Sequence, residues 1–166
     1  MTQADSGLTT KRIADFLAEH TTLTLATIGE DRAPAAAAVF YAHDDDLTLY
    51  FLSEDRTQHA RNIIAVPRVA GTVQGDGQDW RTIRGLQVRG RAGHVPAPLL
   101  AHAVAVYARK FAFVAGALAG AEGPAVLSGP LARARFWQLT PDWFRLVDNT
   151  VRFGHKEELD MRSGDP

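Results

Sequence analysis

The chain has 166 residues, of which 46% are hydrophobic, and a formal net charge of −1. That length suits one domain with its own core, and the balanced charge leaves no electrostatic footprint for nucleic acid. The absence of cysteine excludes disulfides, thiolate metal sites and cysteine nucleophiles.

The first residues, "MTQADSGLTTKR", carry no apolar core of the kind a secretory signal needs. The apolar run "FAFVAGALAGA" is about half the length of a membrane-spanning helix. The expectation is a single cytoplasmic domain over residues 1–166, without a membrane partner and with loose termini at 1–8 and 160–166.

The first element is a helix in "LTTKRIADFLAEH". Thr9 or Thr10 is its N-cap, and Ile13, Phe16 and Leu17 share one face. "TLTLATIG" alternates as a strand, with Leu23 and Leu25 on one side. After the turn "GEDR", "APAAAAVFYAH" is ambiguous in its alanines, but Val39, Phe40 and Tyr41 favour a strand. Asp44 to Asp46 form the next turn, and "LTLYFLS" is a strand. A short helix follows, capped by Thr57, with Ala60, Ile63 and Ile64 as its buried stripe. Pro67 disfavours helical geometry at Val66 and ends it.

"RVAGTVQG" is a strand. "WRTIRGLQVRGRAGHV" is a longer one, bent at Gly85 or Gly90. "APLLAHAVAVYARKF" changes period to a helix, with Pro98 early and Leu99, Leu100, Ala103, Val104 and Tyr107 as core positions. The Gly- and Ala-rich stretch to Pro130 has no clear period. "RARFWQL", "WFRLVD" and "TVRFG" are closing strands, with turns at Thr140–Asp142 and Asn149. Hairpin-length connections dominate, and helices do not alternate with strands one for one. The fold class is therefore mainly β: an antiparallel barrel with flanking helices.

The helix opening at Thr57 carries the chemistry. Its first turn has unpaired backbone N–H groups beside Ser53, Arg56, Gln58 and His59, a place suited to a phosphate. Glu54 and Asp55 oppose an anion unless they point away. The plainer alternative is an ordinary capped surface helix. Small side chains from Ala35 to Ala38 leave room for a flat ligand against the backbone, although alanine is used heavily throughout.

The order of these pieces, "TLTLATIGEDRAPAAAAVFYAHDDDLTLYFLSEDRTQHARNIIAVPRVAGTV" followed by "IRGLQVRGRAGHV", resembles the pyridoxamine-phosphate-oxidase-like family of FMN-binding split β-barrels. The closing segment resembles an uncharacterised branch of it. The resemblance implies an FMN site in which the ring lies on the strand containing Ala37, Ala38, Val39 and Phe40. Leu52 and Ser53 then lie beside the ribityl chain, and Thr57, Gln58 and His59 form the phosphate turn. The family's usual Arg-Lys pair is replaced here by Gln58 and His59. Arg56 replaces one lost charge, with Arg61, Arg81 or Arg84 as further candidates. Arg84, Arg89 or Arg91 are candidates for the positive group near the flavin N1. Gly85 stands where some members place a glutamine.

The resemblance also implies a homodimer with the cofactor at the subunit interface, and an oxidoreductase acting on a small-molecule substrate. No C-terminal arginine pattern marks that substrate as pyridoxamine phosphate. Alternatives are a deazaflavin, haem with His59, His94 or His102 as ligand, or a non-catalytic small-ligand binder. The six histidines are scattered without metal-ligand spacing, so no metal is expected. Trp80, Trp137 and Trp143 suit core or interface positions better than ring stacking. "GDG" at Gly75–Gly77 precedes no helix, and Ser128 lacks the strand-to-helix elbow of a hydrolase.

Overall fold

Alternating apolar residues give strands such as Thr22–Ile28 and Arg68–Gln74 one side to bury, and the sheet rolls up around those sides. A computed structural model describes residues 8–114 and 131–164. Among the described residues the strands are β1 (Thr22–Ile28), β2 (Pro34–His43), β3 (Leu49–Ser53), β4 (Arg68–Gln74), β5 (Arg84–His94), β6 (Arg135–Asp148) and β7 (Lys156–Asp160). The helices are α1 (Thr10–Glu19), α2 (Gln58–Ala65) and α3 (Leu100–Lys110). Every strand pairing is antiparallel. The order is β3-β2-β1-β4-β5-β6-β7, and β3 also pairs with β6. Six strands thus close a barrel, and β7 extends it as an edge strand. This is the antiparallel split barrel with flanking helices that the sequence predicts.

Leu23, Leu25, Tyr41, Phe51, Trp137 and Phe144 are fully buried in the barrel. Each such side chain contributes about 1.5–3 kcal/mol by leaving water. Ile13, Phe16 and Leu17 of α1 join the same core. Thr9 caps α1 by accepting a hydrogen bond from the Arg12 amide at 3.3 Å. Helix α3 builds a second cluster outside the barrel, where Ala103, Val106 and Tyr107 meet Ala42, Tyr50 and Phe136. No helix among the described residues is long and apolar enough to cross a membrane.

Several local expectations are corrected. In α2 the buried residues are Ala60, Asn62 and Ile63, whereas Ile64 is exposed. In α3 Val106 takes a core position, and Leu99, in the 3-10 turn before it, is exposed. Thr140–Asp142 is no turn, because β6 runs unbroken from Arg135 to Asp148. Asp142 is the extra residue of a bulge: Arg89 pairs with Trp143 and Gly90 with Pro141. The bulged strand β6 bends at this point, opposite Gly90 of β5. A Cβ there would stand 2.1 Å from the Thr140 carbonyl oxygen, so only glycine fits this approach. "TVRFG" is a set of turns, and the polar "KEELD" is the strand β7. Register with β6 outweighs its weak propensity.

At the ends, Leu8 is buried and Met161–Gly164 form a 3-10 turn. Residues 1–7, 165–166 and 115–130, the last including Ser128, lie outside the described residues.

Candidate functional site

A length mismatch between two strands opens the site. Residues 34–40 of β2 pair with β1, but β3 pairs only with Tyr41, Ala42 and His43. The last residues of β3, Leu52 and Ser53, pair instead with Phe136 and Arg135 of β6. The edge of β2 from Ala35 to Phe40 that faces away from β1 is thus unpaired by any described strand. Backbone N–H and C=O groups on such an edge need partners.

Along this edge Ala36 and Ala38 are exposed, Ala37 is half-buried, and Val39 points into the core. Phe40 is exposed, packs its ring 5.6 Å from that of Phe111, and accepts the Tyr107 hydroxyl at its carbonyl. The Leu52 side chain leans on the α3 cluster. Among these positions, Ala36 and Ala38 leave the backbone most open.

Beyond Ser53 the chain turns into α2. The Thr57 hydroxyl donates to the Glu54 carbonyl at 3.0 Å, and its oxygen accepts the Ala60 amide at 3.3 Å. Ser53 Oγ lies 3.0 Å from Thr57 Oγ1 and 2.7 Å from His59 Nε2. In the tautomer with the proton on Nδ1, Nε2 accepts the Ser53 hydroxyl. Burial lowers the His59 pKa below its ordinary value, which favours that neutral ring. The Trp137 indole donates to the Ser53 carbonyl at 3.2 Å and pins the strand end.

The charges around the turn are already matched. Arg56 Nε lies 2.5 Å from Glu54 Oε2. Asp55 is held by His94 at 2.8 Å and by Arg135 at 2.9 Å. Arg61 donates to the Arg56 carbonyl and to Gln58 Oε1. Both nearby acids therefore have cationic partners.

Arg84 is not brought to the turn within one chain. Along β6, Ser53 pairs with Arg135 at one end and Arg84 with Asp148 at the other. Arg84 faces Asp148 at 3.3 Å and Glu19 at 3.8 Å, with its guanidinium over the Phe16 ring. Arg89 lies over Trp143, and Arg81 pairs with Asp79.

The sequence reading missed Asn62. Its Nδ2 donates to Thr27 Oγ1 at 2.9 Å, and its Oδ1 accepts from Gln58 Nε2 at 2.7 Å. One buried amide thus ties α2 to β1 and fixes Gln58. Nothing in its local pattern distinguishes it from a surface asparagine.

The turn gathers the first amides of a helix with two hydroxyls and an imidazole that bond one another and the Glu54 carbonyl. It suits a phosphate through hydrogen bonds rather than through fixed positive charge. The family model of pyridoxamine 5'-phosphate oxidase matches residues 9–148. The chain belongs to this family. A UPF0306 protein of Enterobacter sp. (strain 638) is 31% identical over 141 residues, spanning 85% of this chain and 89% of the relative. Two solved structures share the fold at lower identity. A haem-binding protein from Mycobacterium smegmatis superposes with a TM-score of 0.68 at 20% identity, covering 92% of this chain and 58% of that one. HutZ, the haem storage protein from Vibrio cholerae, gives 0.61 at 20% identity, covering 79% and 88%.

Proposed function

We propose that the chain is an FMN-binding oxidoreductase acting on a small substrate, and that it works as a homodimer with the cofactor at the subunit interface. The carrying observation is the open β2 edge that leads directly to Ser53, Thr57 and His59. Backbone groups of Ala37 to Phe40 hold the ring edge, and the small side chains of Ala36 and Ala38 admit a flat group. Leu52 and Ser53 flank the connecting chain. The amides of Gln58 and His59 hold the phosphate, and the Ser53 and Thr57 hydroxyls and a protonated His59 ring exchange the bonds they make to one another and to the Glu54 carbonyl for bonds to it. Bound flavin supplies the electron-transfer chemistry, and the protein positions it and keeps water from its ring. Exposed Phe40 and Ile28 on the outer sheet face support an apolar contact with a second copy.

Haem is the second reading, favoured by the two haem proteins of the same fold. The candidate ligands weigh against it. His59 Nε2 is engaged by Ser53 and Thr57, His94 Nε2 by Asp55, and His102 Nε2 by Asp44. Each would have to break a hydrogen bond to bind iron.

A visible spectrum of the purified protein, before and after adding FMN, tests the reading. Flavin bands that remain after gel filtration, with FMN fluorescence quenched on binding, support it. A Soret band favours haem, and a protein that takes up neither is a binder of another kind. Turnover of reduced nicotinamide with bound FMN separates an enzyme from a passive carrier. Light scattering measures the dimer.

A further inference from the structure

A cleft of about 630 Å³ lies beside the 54–56 turn, between the end of β5, the start of α3 and the start of β6. No residue of β2 lines it, so it is separate from the open edge described above. Its size falls within the range of small-molecule sites, about 300–1,000 Å³.

Among the described residues the lining carries three arginines, Arg56, Arg133 and Arg135, against two carboxylates, Glu54 and Asp55. Glu54 is held by Arg56, and Asp55 by both Arg135 and His94. The cleft therefore has one guanidinium in excess of its carboxylates. Asp55 can release Arg135 and remain hydrogen-bonded to His94. The apolar part of the lining includes Val95 and Phe136, both buried.

We propose that this cleft is a second ligand site, for a small organic acid. Its anionic head, a carboxylate or a phosphate monoester, is bound by Arg133 and Arg135, and its short apolar body lies on Val95 and Phe136. Guanidinium groups recognise both head groups by paired, charge-assisted hydrogen bonds. A cationic ligand of the same shape would meet three arginines. The proposal does not depend on which cofactor, if any, occupies the β2 edge.

The structure supplies a reporter. The His94 ring centroid lies 4.0 Å from that of Trp137, so a ligand that rearranges Asp55 and His94 shifts the Trp137 indole resonance. The experiment titrates the full chain with hexanoate, hexyl phosphate and hexylamine, following the assigned Trp137 indole N–H by NMR. Saturable shifts with hexanoate or hexyl phosphate, and none with hexylamine, are expected; the stronger acid probe identifies the head group. The double variant Arg133→Ala/Arg135→Gln should weaken acid binding by at least about tenfold, while its dispersed amide spectrum reports that it is folded.

An equal response to hexylamine, no response to any probe, or undiminished acid binding in the folded variant overturns the proposal. FMN titration of Arg133→Ala alone, which leaves the Arg135–Asp55 pair in place, should match the wild type; a parallel loss would make the cleft part of the cofactor site and also overturn it. Failure of FMN to bind the wild type, with the acid response intact, would count against the flavin reading alone.

Discussion

The Ser53 hydroxyl lies 2.7 Å from Nε2 of His59, across the first turn of α2. A titratable ring thus stands in the candidate phosphate turn. Burial lowers its pKa, so the folded chain binds this proton less readily than the unfolded one. The contribution to stability is present above the ordinary histidine range and is lost as pH falls through the lowered value. Binding of a phosphate runs the other way, because the anion favours the charged ring. FMN affinity should therefore rise as pH falls between about pH 8 and pH 5. Fluorescence titrations over that range check it. His59→Lys should flatten the dependence, and an unchanged slope in that variant would remove His59 from the phosphate site.

Asn62 is buried beneath α2 and bridges Thr27 and Gln58. Asn62→Ala leaves the Thr27 hydroxyl without that partner and frees Gln58. The expected cost is about 1–3 kcal/mol in urea denaturation, with weaker FMN binding in the folded fraction. Gln58→Ala, at an exposed position, should cost much less stability. Equal losses for the two variants would contradict this account of how α2 is anchored.

Gly90 and Gly93 lie on the same strand and predict opposite outcomes. A methyl at Gly90 meets the Thr140 carbonyl at 2.1 Å, whereas one at Gly93 meets nothing within 4 Å. Gly90→Ala should cost about 3 kcal/mol by forcing the bulge apart. Gly93→Ala should stay within about 0.5 kcal/mol of the parent. Thermal and urea unfolding of the pair measures the difference.

Lys110 reaches back from α3 to donate to the Leu17 carbonyl at 3.0 Å, with its ammonium 4.2 Å from the Tyr41 ring centroid. Burial brings its pKa down to about 8. The folded chain then holds this proton less tightly than the unfolded chain, so stability should rise as pH increases from about 8 toward the ordinary lysine range. Denaturation curves across that interval should show the rise in the parent and its loss in Lys110→Met. A flat profile in the parent would place the ammonium in water.

Alternation in "TLTLATIG", the apolar strand "LTLYFLS", the Thr9 and Thr57 caps and the stop at Pro67 are features of neighbouring residues, and they made the elements up to α3 and the barrel class legible. The phosphate-turn candidates Ser53, Thr57 and His59 were legible for the same reason, since strand end and helix start adjoin. The reading of Thr140–Asp142 as a turn failed because turn propensity there is overruled by pairing with β5, opposite a glycine that accepts the bulge. Ile64 is exposed and Asn62 is buried because the face of α2 is set by what lies beneath it, the Thr27 hydroxyl of β1. The stripe alone does not carry that information.

The sequence by itself determined the elements from α1 to α3, because those choices rest on local period, caps and backbone restriction, whereas the unbroken β6 and the polar β7 depend on their partners. Closure of β3 onto β6 decided the rest. It left the β2 edge open and set Arg135 and His94 around Asp55, while pairing at the far end of β6 held Arg84 against Asp148. Those meetings join residues far apart in the chain, and only the register of a closed sheet fixes which distant charges share a site.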